Sequence, residues 1–214
     1  MLPIIPEAKR NVLDLMRRLR TMDDAEYLQS LIAYHGAPTL MGLKPATLVC
    51  PGASTRNLRQ ALDECGPRLA RAFGVKVADF RNRAGSLLVL AYNPSLLRTA
   101  LAAREVVELL RDSGYREPTA SVEALLEQLR VKCAESEFPH EIGVFLGYPA
   151  SDVRCFMRDG GRGCRAVGCW KAYDDIAEAK SRSARYTRAK MIAAELIVRG
   201  VDLGGMADGL KTAV

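Results

Sequence analysis

A seven-residue apolar run, Ser86-Leu87-Leu88-Val89-Leu90-Ala91-Tyr92, constrains the fold of this chain more than any other segment. A strand that alternates apolar and polar residues can face water on one side. A continuous apolar run leaves no face for water and belongs in the middle of a sheet. The preceding segment, Val75-Lys76-Val77-Ala78-Asp79-Phe80, does alternate, and a turn over Arg81 to Gly85 separates the two, so they are expected to pair as an antiparallel hairpin. Further strands are expected over Ala46 to Cys50, closed by Pro51-Gly52, over Ile142 to Gly147, and over Arg165 to Tyr173 after a glycine-rich turn from Asp159 to Gly163.

Helical patterns fill the intervals. Residues 7–20 place Val12, Leu13, Leu15, Met16 and Leu19 on one face; a second helix, capped by Thr21 or Asp23, runs to about His35 and is expected to stop at Gly36 and Pro38. Ser54 is the expected cap of a helix to Phe73 that buries Leu58, Leu62, Cys65 and Leu69, with Gly66-Pro67 as a possible break. Helices over 95–112, from Ser121 or Thr119 to Cys133, over 151–157 and over 175–199 complete the pattern, and the glycine-bearing tail 201–214 is expected to fray. The order α-α-β-α-β-β-α-α-β-α-β-α predicts an α/β (or α+β) three-layer domain: a mixed sheet of about five strands, one antiparallel hairpin included, flanked by helices. A single domain over 1–214 is expected, with an N-terminal helical hairpin (7–36), an α/β core (40–200) and a flexible tail.

Hydrophobic residues at 49% and charged residues at 26% suit a chain of 214 residues that buries a real core. No apolar run approaches the roughly 20 residues that cross a bilayer, and the start of the chain lacks a secretory core, so a cytoplasmic protein without membrane contact is expected. Six cysteines without a CxxC pair then read as reduced, buried thiols rather than staples or a zinc site. A net charge of +6 permits anionic partners without requiring one.

Chemistry is concentrated in Phe138 through Pro149, which sets His140 and Glu141 beside the apolar run 142–147 and ends in Gly147-Tyr148-Pro149. An imidazole there can act as a base, a ligand or a structural hydrogen-bonding group. His35, the other histidine, lies beside Gly36-Ala37-Pro38-Thr39; a two-histidine site with Glu141 follows only if those segments meet. Ser151 or Asp152 is read as an N-cap, Trp170 as a core anchor, and Lys171 as a solvated lysine that could alternatively meet Glu141 or an anion. Arg182, Arg185 and Arg188 step by three along the last helix and suggest a basic stripe over 178–190; the flanking Glu178 and Glu195 favour a solvated face over a nucleic-acid surface. No Walker, GxGxxG or GxSxG pattern occurs.

Four segments occur in order: His35-Gly36-Ala37-Pro38-Thr39-Leu40, Lys44-Pro45-Ala46-Thr47-Leu48, Phe138 through Pro149 with Asp152-Val153, and Gly168-Cys169-Trp170-Lys171-Ala172-Tyr173. Over about residues 20 to 200 the chain resembles a bacterial domain-of-unknown-function family, DUF 3793, common in anaerobic Firmicutes. The resemblance implies a shared fold and no assigned activity. It also implies thiols in many relatives where this chain has Gly36, Val167 and Asp174, with Cys169 retained, so a thiolate–metal site is not expected here. What remains is a candidate set of His35, Thr39, Lys44, His140, Glu141, Tyr148, Trp170 and Lys171.

The expected site is a pocket between the His35–Lys44 loop and the His140–Tyr148 strand that binds a small anionic molecule or cofactor. His140 would be its polar centre, Lys44 and Lys171 its positive charge and Tyr148 a hydrogen-bonding group; no reaction is assigned. The alternatives are a metal- or haem-handling accessory protein using His140 and His35, a nucleic-acid-binding module using helix 178–190, and a motif with a purely structural role.

Overall fold

The computed structural model describes residues 7–52, 55–135 and 138–212. Among these the elements run α1 (Glu7–Thr21), α2 (Asp24–Leu40), β1 (Ala46–Val49), α3 (Leu58–Phe73), β2 (Lys76–Arg81), β3 (Leu87–Tyr92), α4 (Pro94–Leu101), α5 (Arg104–Asp112), α6 (Val122–Glu135), α7 (Ile142–Phe145), α8 (Ala150–Asp159), β4 (Ala166–Val167), β5 (Lys171–Ala172), α9 (Ile176–Val198) and α10 (Leu203–Lys211). The fold is α+β. Among the described residues the strands form two small sheets instead of one mixed sheet of five: an antiparallel β1-β3-β2 sheet and a two-stranded β4-β5 hairpin.

Strand β3 is the centre, as its apolar run predicts. All six of its residues are buried, with β1 paired on one edge (Val49 opposite Val89) and β2 on the other (Phe80 opposite Leu88). Its alternating side chains feed two separate cores. Leu87, Val89 and Ala91 pack with apolar residues of α1, α2, α3, α9 and α10. Leu88, Leu90 and Tyr92 pack with those of α4 through α8. Helices therefore cover both faces of the sheet.

The structure overturns several expectations, each through tertiary burial. The segment 142–147 is not a strand. Ile142 N–H bonds to the Pro139 carbonyl, Gly143 N–H to His140 and Val144 N–H to Glu141, winding the chain into the short turn α7 with Ile142 through Phe145 all buried. A short apolar run reads the same in a buried strand and in a buried helical turn, and only its neighbours decide. The predicted strand 165–173 is a hairpin that turns over residues 168–170. Helix α2 does not stop at Gly36 and Pro38. Residues 36–39 are buried, where backbone groups need partners, and the helix continues to Leu40 with Pro38 in its last turn. Gly66-Pro67 does not break α3, and the glycine lets the helix lie against β2: a Cβ at 66 would sit 3.0 Å from Val77.

Caps and ends differ in detail. Asp23 caps α2, Asp175 caps α9 and Ser121 accepts from the Ala124 N–H at the start of α6. Ser54 lies outside the described residues, and Asn57 caps α3. The stretch 95–112 is two helices, since Ala103 is extended. Among the described side chains of α1, Leu15 and Leu19 are buried, while Leu13 and Met16 stay exposed. Cys65 and Cys133 are buried, but Cys50 is exposed, and all six thiols are free. The tail is the largest difference. Residues 203–211 form α10, capped by Asp202, and bury Leu203, Met206 and Leu210 in the core shared by α2, α3 and α9. Its glycines weaken helix propensity, but burial of the apolar face outweighs that cost.

One glycine joins the two halves. Gly147 has φ +78°, and a Cβ there would come within 2.5 Å of the Pro45 ring. This contact sets the chain after α7 against the chain leading into β1. Gly147→Ala is expected to cost at least about 2 kcal/mol, from the left-handed backbone and the clash. Leu210→Ala should cost about 2–5 kcal/mol, as for a core leucine. Urea denaturation of both variants checks these values, and a neutral Leu210→Ala would return α10 to the status of a fraying tail.

Candidate functional site

Lys44 sits where the two halves meet. The chain around it is held on three sides. The Leu43 carbonyl accepts from the Tyr186 hydroxyl of α9 (3.4 Å), Pro45 packs on Gly147, and the Pro45 carbonyl accepts from the Asn93 N–H (2.8 Å). Lys44 is only 7% exposed. Its ammonium lies 5.1 Å from the centre of the Tyr148 ring and 5.5 Å from that of Tyr186, and among the described residues it has no carboxylate partner. Aromatic faces attract a cation but replace only part of the hydration it loses. Burial therefore pulls the Lys44 pKa down from 10.5 to about 8; the Cys169 sulfur opposes that shift, and the charges of Lys190 and Arg182 add to it.

A cavity of about 150 Å³ opens at this amine, lined by His35, Lys44, Thr47, Tyr148, Cys169, Tyr186 and Lys190 among others. Among the described residues no aspartate or glutamate lines it. His35, on α2, is shifted below the usual histidine range, by burial and then by Lys190, which favours neutral imidazole. The Tyr148 phenol is pushed up to about 12, chiefly by burial, and donates to the Cys169 carbonyl (3.1 Å).

A second, wider cavity of about 450 Å³ lies on the other side of Leu146 and Tyr148, lined by His140, Phe138, Phe156, Trp170 and Lys171. It is largely apolar because its polar groups are already engaged. Trp170 Nε1 donates to Asp152 Oδ2 (2.7 Å), and Lys171 Nζ donates to the Gly161 carbonyl (3.1 Å) and lies 5.6 Å from the Phe156 ring centre. Trp170 is no deep core anchor: half-buried, it stacks on Tyr148 at 5.0 Å with the Arg182 guanidinium 5.1 Å from its ring.

The predicted residues are thus divided, not gathered. His35, Lys44 and Tyr148 share the small cavity, while His140, Tyr148, Trp170 and Lys171 share the wide one. His140 is exposed and meets Phe156 edge-on at 5.0 Å, so it is a rim group and not a polar centre. The two histidines line different cavities, and among the described residues no group of three or more His, Cys, Asp or Glu side chains could hold a metal ion. Glu141 lines neither cavity: it turns into the core of α4 through α8, with its Oε1 3.4 Å from Lys132 Nζ and the Tyr115 phenol beside it, because successive residues of a tight turn diverge. Thr39 is fully buried and shares a 2.8 Å hydrogen bond with Thr47, which lines the small cavity. Asp152 is not a cap: its carboxylate accepts from Trp170, from the Tyr173 N–H (2.8 Å) and from the Asp174 N–H (3.3 Å), and so holds the β4-β5 hairpin. The basic stripe is broken as well. Arg182 turns inward to the Gly147 carbonyl (2.7 Å) and the Tyr186 hydroxyl (3.0 Å), leaving Arg185 and Arg188 exposed.

Sequence reasoning missed Tyr186 and Lys190 as site residues. The signal was present: Arg182, Tyr186 and Lys190 recur at i, i+4 and i+8 on α9 and so share one face. Stepping by three selected the neighbouring row instead.

Fold and site together define an α+β protein with a lysine enclosed at the seam between two cores. Residues 32–206 match the family described as Protein of unknown function (DUF3793), and the chain belongs to that family. The matched span contains both cavities. No curated protein and no solved structure matches the chain, and among the described residues no helix is long and apolar enough to cross a membrane.

Enclosing the Lys44 ammonium costs stability. The unfolded chain holds this proton up to about pH 10.5 and the folded chain only to about 8, so the penalty is full below pH 8 and disappears as pH rises to 10.5. It is on the order of 3 kcal/mol at pH 7. Lys44→Met is therefore expected to be more stable than the parent at pH 7 by about 1–3 kcal/mol. That advantage should shrink between pH 8 and 10.5 in urea denaturation series.

Proposed function

We propose that this protein binds a small anionic molecule in the cavity beside Lys44. One observation carries the reading: a nearly buried ammonium without an acidic partner among the described residues, in a cavity also lined by Lys190 and His35 and, among those residues, by no carboxylate. Positive groups enclosed without counter-charge raise the local potential and favour an incoming anion, which would supply the missing interaction. The 150 Å³ volume corresponds to about five waters, so the ligand class is a compact carboxylate or phosphate and not a nucleotide. His140, Trp170 and Lys171 serve the neighbouring apolar cavity, which suits a ligand with an apolar portion reaching past Tyr148.

Calorimetric titration with oxalate and with inorganic phosphate, at constant ionic strength set with chloride, tests this. Saturable binding is expected for at least one anion, weakened tenfold or more in Lys44→Met, and weakening in the parent as pH rises through about 8 and the ammonium discharges. Equal binding by parent and variant, or none by either, would sink the proposal.

A further inference from the structure

We propose that Lys44 is a nucleophile, and that the anion it meets is a small 2-oxo acid or aldehyde acid held as an imine on its Nζ. The inference rests on the anion reading above and names the substrate class of the same cavity.

The geometry separates a reactive amine from a simple charge clamp. A lysine that only holds anions works as a fixed ammonium, kept charged by acceptors around it. Lys44 has aromatic rings for walls, with Tyr148 and Tyr186 at 5.1 and 5.5 Å, and no carboxylate among the described residues. Two other cations, Lys190 and Arg182, bear on it. Desolvation and neighbouring cations are the two ways a protein makes a lysine nucleophilic. With a pKa of about 8, about a tenth of the Lys44 population is neutral amine at pH 7, roughly three-hundredfold more than for an exposed lysine.

Amine and carbonyl give imine and water, and no oxidant or reductant is needed. The Nζ lone pair attacks the carbonyl carbon, forming the C–N bond, and the carbonyl electron pair moves to oxygen, which takes up a first proton as the now positively charged nitrogen releases one. The C–O bond then breaks, oxygen leaves as water with a second proton, and nitrogen gives up its own proton as the C=N bond forms. His35 lines the same cavity with its pKa lowered, so it is available as a neutral base to carry these protons. Lys190, also lining the cavity, is placed to pair with the carboxylate.

The experiment is reductive trapping. The full chain is incubated at pH 7 with glyoxylate, and separately with pyruvate, in the presence of cyanoborohydride, then analysed by intact mass and peptide mapping. Lys44→Arg, which keeps the charge but cannot form an imine, and Lys44→Met run in parallel, with folding checked by circular dichroism. The expected result is a single dominant adduct on Lys44, formed at least tenfold faster than on any other lysine, suppressed by oxalate and absent from both variants. Adducts spread evenly over surface lysines, or unchanged in the variants, would overturn the proposal. If oxalate binds in a Lys44-dependent way but no adduct forms on Lys44, the imine is refuted and the anion site stands. If neither binding nor trapping depends on Lys44, both fall.

Discussion

Strand β3 is the constraint on which the structure depends. It is the only described strand with every residue buried, and each neighbour along it belongs to a different core: Val89 to the side of α2, α3 and α9, Leu90 to the side of α4 through α8. A one-residue slip in pairing would exchange the two sets, so the register is held by packing on both faces. The consequence is a molecule of two cores sharing one wall, and the chain must cross between them at the ends of that wall.

The candidate site occupies such a crossing. Pro45 meets Gly147, Leu43 is tied to Tyr186, and Arg182 reaches the Gly147 carbonyl, so segments from α2, β1, α7 and α9 converge within one layer of side chains. Asp152 extends this order outward by holding Trp170 and the backbone at Tyr173, which presents the Trp170 ring to Tyr148. The small cavity forms here because two cores that close on themselves leave an imperfectly filled seam between them, the kind of place where ligands lodge.

That seam is also where the fold carries its electrostatic cost. Other charged groups pair at the surface, as Arg59 does with Asp79 and Arg154 with Asp112, or, like the buried Glu141 and Asp152, have partners of opposite charge or hydrogen-bond donors. The surface pairs contribute little to stability and cost little to keep. Lys44 is the reverse: enclosed, near other cations and without an acid among the described residues. A position that costs stability without a structural return is where function is to be sought.

How much was legible in the chain differs by element. The candidate status of Lys44 and Trp170 follows from the family resemblance, whereas the β2-β3 hairpin, the buried face of α3, the span of α9 and the candidate status of His35 and Tyr148 follow from local patterns: a period of two, a period near four, a cap, a polar side chain beside an apolar run. These depend on residues close in sequence, whose geometry is set by backbone sterics and solvent exposure. The tertiary structure alone decided that 142–145 is a helical turn, that α2 passes through Pro38, that 203–211 packs instead of fraying, and that Lys44 and His140 lie in separate cavities. In each of these cases the local preference is weak or ambiguous, and the free energy of burying apolar surface against a distant segment outweighs it.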